Sequence, residues 1–208
     1  TLAAVHNSNK PVIGERNTNP RVVELKQRLS QESQGFNQSL FSGNSQQVLD
    51  AFGRLTVTQG EINALRDQQL ISDLQEFKKA NPEANILVLR GRSHTAPYML
   101  LKQELPETDV RRDFLGQEDT GSIVFSYDDA LKRKVYFGEM LKDTNPSTAA
   151  KLAQGFTETE LSRAITSVML INSVDEQNKS NIDYGVINTI AKRVSSKEQI
   201  DGLIQEMK

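Results

Sequence analysis

The chain has no cysteine and no tryptophan among its 208 residues. Without cysteine there can be no disulfide, no thiolate zinc site and no cysteine nucleophile. Cysteine-free chains occur both among bacterial exported proteins and in the cytosol, so composition leaves the compartment open. Only two histidines are present, His6 and His94, so imidazole chemistry has two places to reside. The sequence has no P-loop, no GxGxxG, no HExxH and no GxSxG. Apolar residues make up 37%, and no run approaches the length of a membrane-crossing helix. No signal peptide is expected at the start. Charge of one sign is also missing: 25 Lys and Arg stand against 27 Asp and Glu. A net charge of −2 gives nucleic acid no bulk attraction as a partner.

What is present organises around residues 86–89, Ile-Leu-Val-Leu. This run is too short for a helix and fits a strand covered on both faces. Gly91 breaks it. Three residues later comes His94, then Pro97 near the first helical position and an apolar periodicity through Tyr98, Leu101 and Leu105. The pattern predicts strand, tight turn, helix. In an open α/β sheet, ligands bind at the turn after the carboxyl end of a strand, which is where His94 would stand. A helix N-terminus disfavours a protonated ring, so a neutral imidazole that takes a proton or binds a metal is expected.

Along the rest of the chain, residues 1–10 form a polar arm that contains His6, to which no role is given. Residues 11–15 suit a short strand. Asn19 and Pro20 read as N-cap and first residue of a helix carrying Val22, Leu25 and Leu29. Residues 30–45, rich in Gln, Asn, Ser and Gly, read as a long polar loop. Residues 46–52 suit a short helix stopped by Gly53. Thr58-x-x-Glu61 has the form of a capping box opening a helix to about residue 80. Residues 109–114 and 122–125 are weaker strand candidates. After residue 126 the pattern is helical throughout: 127–141, then a helix opened by Thr157-x-x-Glu160, then apolar periodicity through Ile182, Val186, Ile187, Ile190 and Val194, then a helix capped by Ser195-x-x-Glu198. These stripes are amphipathic and must pack on something.

The candidate functional residues follow from this layout. His94 is the foremost candidate for proton transfer, against a plain role as helix cap. Arg90 and Arg92 flank it and together could bind an anionic group, although solvation or pairing is the commoner fate of such side chains. Glu15, at a predicted strand end in Gly14-Glu15-Arg16, has the placement of a general base or metal ligand. Arg66-Asp67, inside the predicted helix, matches the usual pattern of a surface pair. The run from Lys132 to Lys134 reads as a solvated face.

Residues 65–70, Leu-Arg-Asp-Gln-Gln-Leu, followed by ILVLRGRSH and a leucine-rich helix, resemble the last βα section of the TraB/Tiki-like superfamily. That group includes ChaN-like haem-uptake lipoproteins and erythromycin-esterase-like proteins. Its members carry an arginine-bearing helix and then a strand ending in Gly-x-Gly-His. Gly91-Arg92-Ser93-His94 keeps the histidine in register but lacks the second glycine, and Arg66 falls at the family arginine. The family's early Gly-Glu-x-His is matched by Gly14-Glu15, with Asn17 in place of the histidine. The resemblance covers about residues 60–110, and residues 12–29 weakly. It implies a hydrolase in which His94, Glu15 and Arg66 converge, with a divalent metal as cofactor in some members. The missing early histidine removes one part of that machinery.

The expected fold is therefore helix-rich α/β. A small βα core around strand 86–89 (residues 1–125) is followed by an all-helical section (126–208) packed on it. Two functions fit: a hydrolase or ligand-binding protein of TraB/Tiki-like type taking a small molecule or peptide, or a non-catalytic protein that engages a protein partner through its helical C-terminal section.

Overall fold

The computed structural model describes residues 19–42, 44–88, 94, 96–104, 109, 125–175, 177–178 and 182–206. Among these residues there are eight α-helices and no strand: α1 (Pro20–Ser42), α2 (Ser45–Ala80), α3 (Ala96–Glu104), α4 (Tyr127–Met140), α5 (Pro146–Leu152), α6 (Glu158–Asn172), α7 (Tyr184–Ala191) and α8 (Lys197–Glu206). The expected α/β fold with a βα core is thus corrected to an all-helical packing.

α1 begins as its sequence predicts, with the Asn19 side chain accepting from the Arg21 amide. It then runs straight through the stretch expected to be a polar loop. The reason lies in the spacing of the few apolar residues. Val22, Leu25 and Phe36 are buried, with Leu29 and Leu40 partly so, and together they trace one helical face. Gln and Glu are adequate helix formers, and burial of that face against a neighbour supplies what propensity does not. Ser39 is buried on this face with its hydroxyl donated to the Phe36 carbonyl.

α2 is a single helix of 36 residues, so neither of the expected interruptions occurs. Gly53 does not stop it, and Thr58 does not cap anything: it is fully buried in the helix interior. Val48, Leu49, Phe52 and Ile62 are buried on both sides of the supposed box, which carries the apolar stripe through it. The true cap is Asn44, whose side chain accepts from the Gln47 amide at 3.2 Å. α1 and α2 form an antiparallel hairpin, with Phe36 on Phe52 (ring centroids 5.3 Å apart) near the turn and Val22 and Leu25 on Ile62 at the far end.

α4 runs alongside α2 in the same direction. Leu131 joins the cluster around Phe52, whereas Tyr136 and Met140 join Ala64 and Ile71. Gly60 sits where the two helices come closest. A Cβ there would lie 2.6 Å from the Val135 Cβ and 3.0 Å from the Lys132 carbonyl oxygen. α6 and α8 add Ala164, Ile165 and Ile200 to the same core as Phe36 and Phe52. The Thr157 capping box forms as read: the Glu160 amide donates to Thr157 Oγ1 at 3.1 Å, and the Thr157 amide donates to Glu160 Oε2 at 2.7 Å. Asn145 caps α5 through its side chain, and Pro146 opens the helix. The last helix starts one residue later than its motif suggests, with the Ile200 amide reaching the Ser196 carbonyl.

The basic run on α4 is not a freely solvated face. Lys132 pairs with Asp128, Lys134 with Glu160, and the Arg133 guanidinium lies 4.2 Å from the centre of the Phe125 ring. Residues 86–88, expected as a buried strand, are irregular and open to solvent, with Leu87 75% exposed. A strand exists only as one member of a pair, and the described residues supply no second member. Of the weaker strand candidates, Asp109 and Phe125 lie outside regular structure, and the remainder are not among the described residues.

Candidate functional site

His94 lies just ahead of α3, and its ring is held by α2. Its Nδ1 stands 3.0 Å from Asp67 Oδ1 and 2.9 Å from Oδ2. Asp67 is fully buried, and the His94 side chain is 12% exposed. Tyr136, from α4, places its hydroxyl 2.6 Å from Asp67 Oδ2. The Ala96 amide, in the first turn of α3, donates to that same hydroxyl at 3.1 Å. The His94 and Tyr136 rings meet edge to face with centroids 6.2 Å apart. Three helices thus converge on one carboxylate.

The direction of each hydrogen bond follows from the donors available. An amide can only donate, so the Tyr136 oxygen accepts from Ala96 and its own proton goes to Asp67. Asp67 accepts from both Tyr136 and His94, so His94 Nδ1 carries a proton. Among the described residues, Nε2 has no hydrogen-bond partner. A buried carboxylate is costly unless its oxygens are satisfied, and here both oxygens are.

The sequence located His94 but misjudged what holds it. Asp67, read as half of a surface ion pair with Arg66, is the residue in contact with the ring. A signal for this was available: Gly60, Ala64, Asp67, Ile71 and Leu74 follow one another at intervals of four and three, the spacing of a buried helical face. Arg66 is half-buried beside Asp67 on α2 and is itself engaged in a contact. Glu15, Arg90 and Arg92 lie outside the described residues. The structure therefore joins His94 to the neighbour of Arg66 and does not test the expected convergence with Glu15.

Among the described residues, the donors beside His94 do not form the divalent-metal site that the family resemblance implies. Both Asp67 oxygens are occupied by hydrogen bonds, which leaves His94 Nε2 as one ligand. Among the described residues, no group of three or more His, Asp or Glu side chains could hold an ion.

A groove of about 780 Å³ lies elsewhere, walled by α1, α2, α4, α5 and the start of α6. Gly53, Val57, Val135, Gly138 and Leu152 line it, and its rim carries both signs, including Arg54, Lys142, Asp50 and Glu61. His94, Asp67 and Tyr136 are not part of it. Proximity to chemistry weighs more than size, so the Asp67–His94 pair is the candidate site.

In comparisons with known proteins, no family model, no curated protein and no solved structure matches the chain. Among the described residues, no helix is long and apolar enough to cross a membrane.

Proposed function

We propose that the chain is a hydrolytic or ligand-binding protein whose working group is the His94 imidazole. One observation carries this reading: a buried carboxylate, Asp67, faces His94 Nδ1 with both oxygens and leaves Nε2 outside that contact. A carboxylate behind histidine fixes the tautomer and stabilises the imidazolium formed when the ring takes a proton. In a hydrolytic step, Nε2 would accept a proton from the attacking water as its oxygen bonds to the electrophilic centre, then return that proton to the leaving group. The TraB/Tiki-like resemblance at Arg66 and His94 points to the same class of activity. It does so through residues alone, since the described residues contain no strand.

The test is a panel of chromogenic esters, amides and phosphoesters. Turnover by the parent protein should fall at least a hundredfold in both His94→Gln and Asp67→Asn, with cooperative unfolding retained. Parent-like turnover in His94→Gln sinks the proposal.

A second reading, a non-catalytic interaction protein, is favoured by α7. Val186 and Ile190, four residues apart, are 54% and 42% exposed on its outer side. Val186→Asp with Ile190→Asp should leave the fold intact and abolish retention of a partner. Unchanged retention rejects α7 as the contact.

A further inference from the structure

We infer that the groove walled by α2, α4 and α5 is a second binding site, for an alkyl chain that ends in a carboxylate held by Arg54. His94, Asp67 and Tyr136 are not part of this groove, so the site stands apart from the hydrolytic reading. Its lining is mostly apolar, with Val57 from α2, Val135 from α4 and Leu152 from α5. Glycines let the walls approach one another. A Cβ added at Gly138 would stand 3.6 Å from Leu152 Cβ, and one at Gly53 would stand 3.8 Å from Leu161 of α6.

Size and charge select the occupant. A volume of about 780 Å³ falls within the range of small-molecule pockets. An α-helix, about 10–12 Å across with its side chains, would fill it in fewer than about two turns. That is short of the span from i to i+7 by which a groove grips a partner helix. A thin alkyl chain has no such limit. Four cations stand along the groove: Arg28, Arg54, Lys134 and Lys142. Arg28 is paired with Glu32, Lys142 with Glu139, and Lys134 with Glu160 and the Gly155 carbonyl. Arg54 is exposed and is the one of the four that makes no hydrogen bond or ion pair among the described residues. Its guanidinium fork is therefore open to a carboxylate, which it can hold by two parallel bonds. The acidic side chains of the rim are engaged elsewhere: Asp50 accepts from Gln46, Glu139 holds Lys142, and Glu61 acts on the Arg28 charge.

Dodecanoate is the probe, with dodecanol and dodecyltrimethylammonium as controls that keep the chain and change the head, each below its micelle concentration. Calorimetric titration should show a single saturable dodecanoate site. The thermal midpoint should rise with dodecanoate, as it does for any ligand that binds the folded state. Arg54→Gln should weaken dodecanoate by about fivefold or more and leave dodecanol within about twofold. Ala150→Phe, at an exposed α5 position that lines the groove, fills the space of the chain and should weaken both by about tenfold or more. Lys151→Phe adds the same ring at the next position, outside the groove lining, and should leave both at parent strength. His94→Gln should leave dodecanoate binding unchanged, whatever it does to turnover. Absence of saturable dodecanoate binding, a midpoint that falls, or parent-like binding in Ala150→Phe overturns the site. Parent-like dodecanoate binding in Arg54→Gln, or tighter binding of dodecyltrimethylammonium than of dodecanoate, overturns the carboxylate head.

Discussion

Tyr136 and Asp67 are separated by 69 positions in sequence and by 2.6 Å in space, and no other described bond ties α4 to α2 through a buried charge. Removing the phenol oxygen leaves the Ala96 amide without its acceptor and Asp67 without one of its donors.

Tyr136→Phe should therefore cost about 1–3 kcal/mol, the range for stranding buried polar groups. Urea unfolding gives the value directly. A change below about 0.5 kcal/mol would mean that solvent reaches Asp67 and satisfies it.

Two glycines in long helices should respond with opposite signs. Gly35, inside α1, has nothing within 4 Å of an added Cβ, so Gly35→Ala should stabilise by roughly 0.5–1 kcal/mol through helix propensity. Gly60 has the Val135 side chain at 2.6 Å, and Gly60→Ala should destabilise by about 1–3 kcal/mol through overpacking. Equal signs at the two positions would contradict the close approach of α2 and α4.

Ile165 and Ile190 both belong to apolar periodicities, but only Ile165 is in the core; it is fully buried, whereas Ile190 is 42% exposed. Ile165→Ala should cost about 2–5 kcal/mol, and Ile190→Ala less than about 0.5 kcal/mol. Thermal unfolding of the pair decides it.

Glu160 should make α6 sensitive to acid. Burial raises the carboxyl's tendency to hold a proton, but the Thr157 backbone amide and then Lys134 outweigh it, and the group is held below its usual value of 4.5. A depressed carboxyl stabilises the fold above the unfolded-state value, and that contribution disappears as pH falls from about 4.5 through the folded value. Glu160→Gln should flatten the loss of stability over that acid range while removing part of the cap at higher pH. The side chain is 38% exposed, so solvent screening keeps the effect small. An identical acid profile in the variant would show that Glu160 has no share in it.

Much of the helical C-terminal half is legible in the sequence, and most of the N-terminal half is not. Thr157-x-x-Glu160 forms its box because Gly155, at φ +82°, has turned the chain just before it. The same signature at Thr58 forms none, because Val48, Leu49 and Phe52 already run on one face into it. Local motifs are therefore decided by what precedes them. Residues 30–42 form helix in place of the expected loop, which a sequence reading favours because composition outweighs the sparse spacing of Phe36 and Leu40. Residues 86–88 depart from the expected strand because an apolar run names burial without naming a partner. His94 was found from its turn, whereas Asp67 was hidden by its charge. Acidic residues are rarely buried, and only its place in the α2 stripe marked it as one that is.

The contrast between the α1–α2 hairpin and the Asp67 network also sets an order of assembly. The hairpin is joined by two residues, so its pairing closes a short loop and can form early. The Tyr136–Asp67 bond must close a loop of 69 positions after both helices exist. In refolding followed by pulsed hydrogen exchange, amides of α1 and α2 should gain protection first and the Ala96 amide among the last. The chain would then pass through a stage with its scaffold built and His94 still unheld.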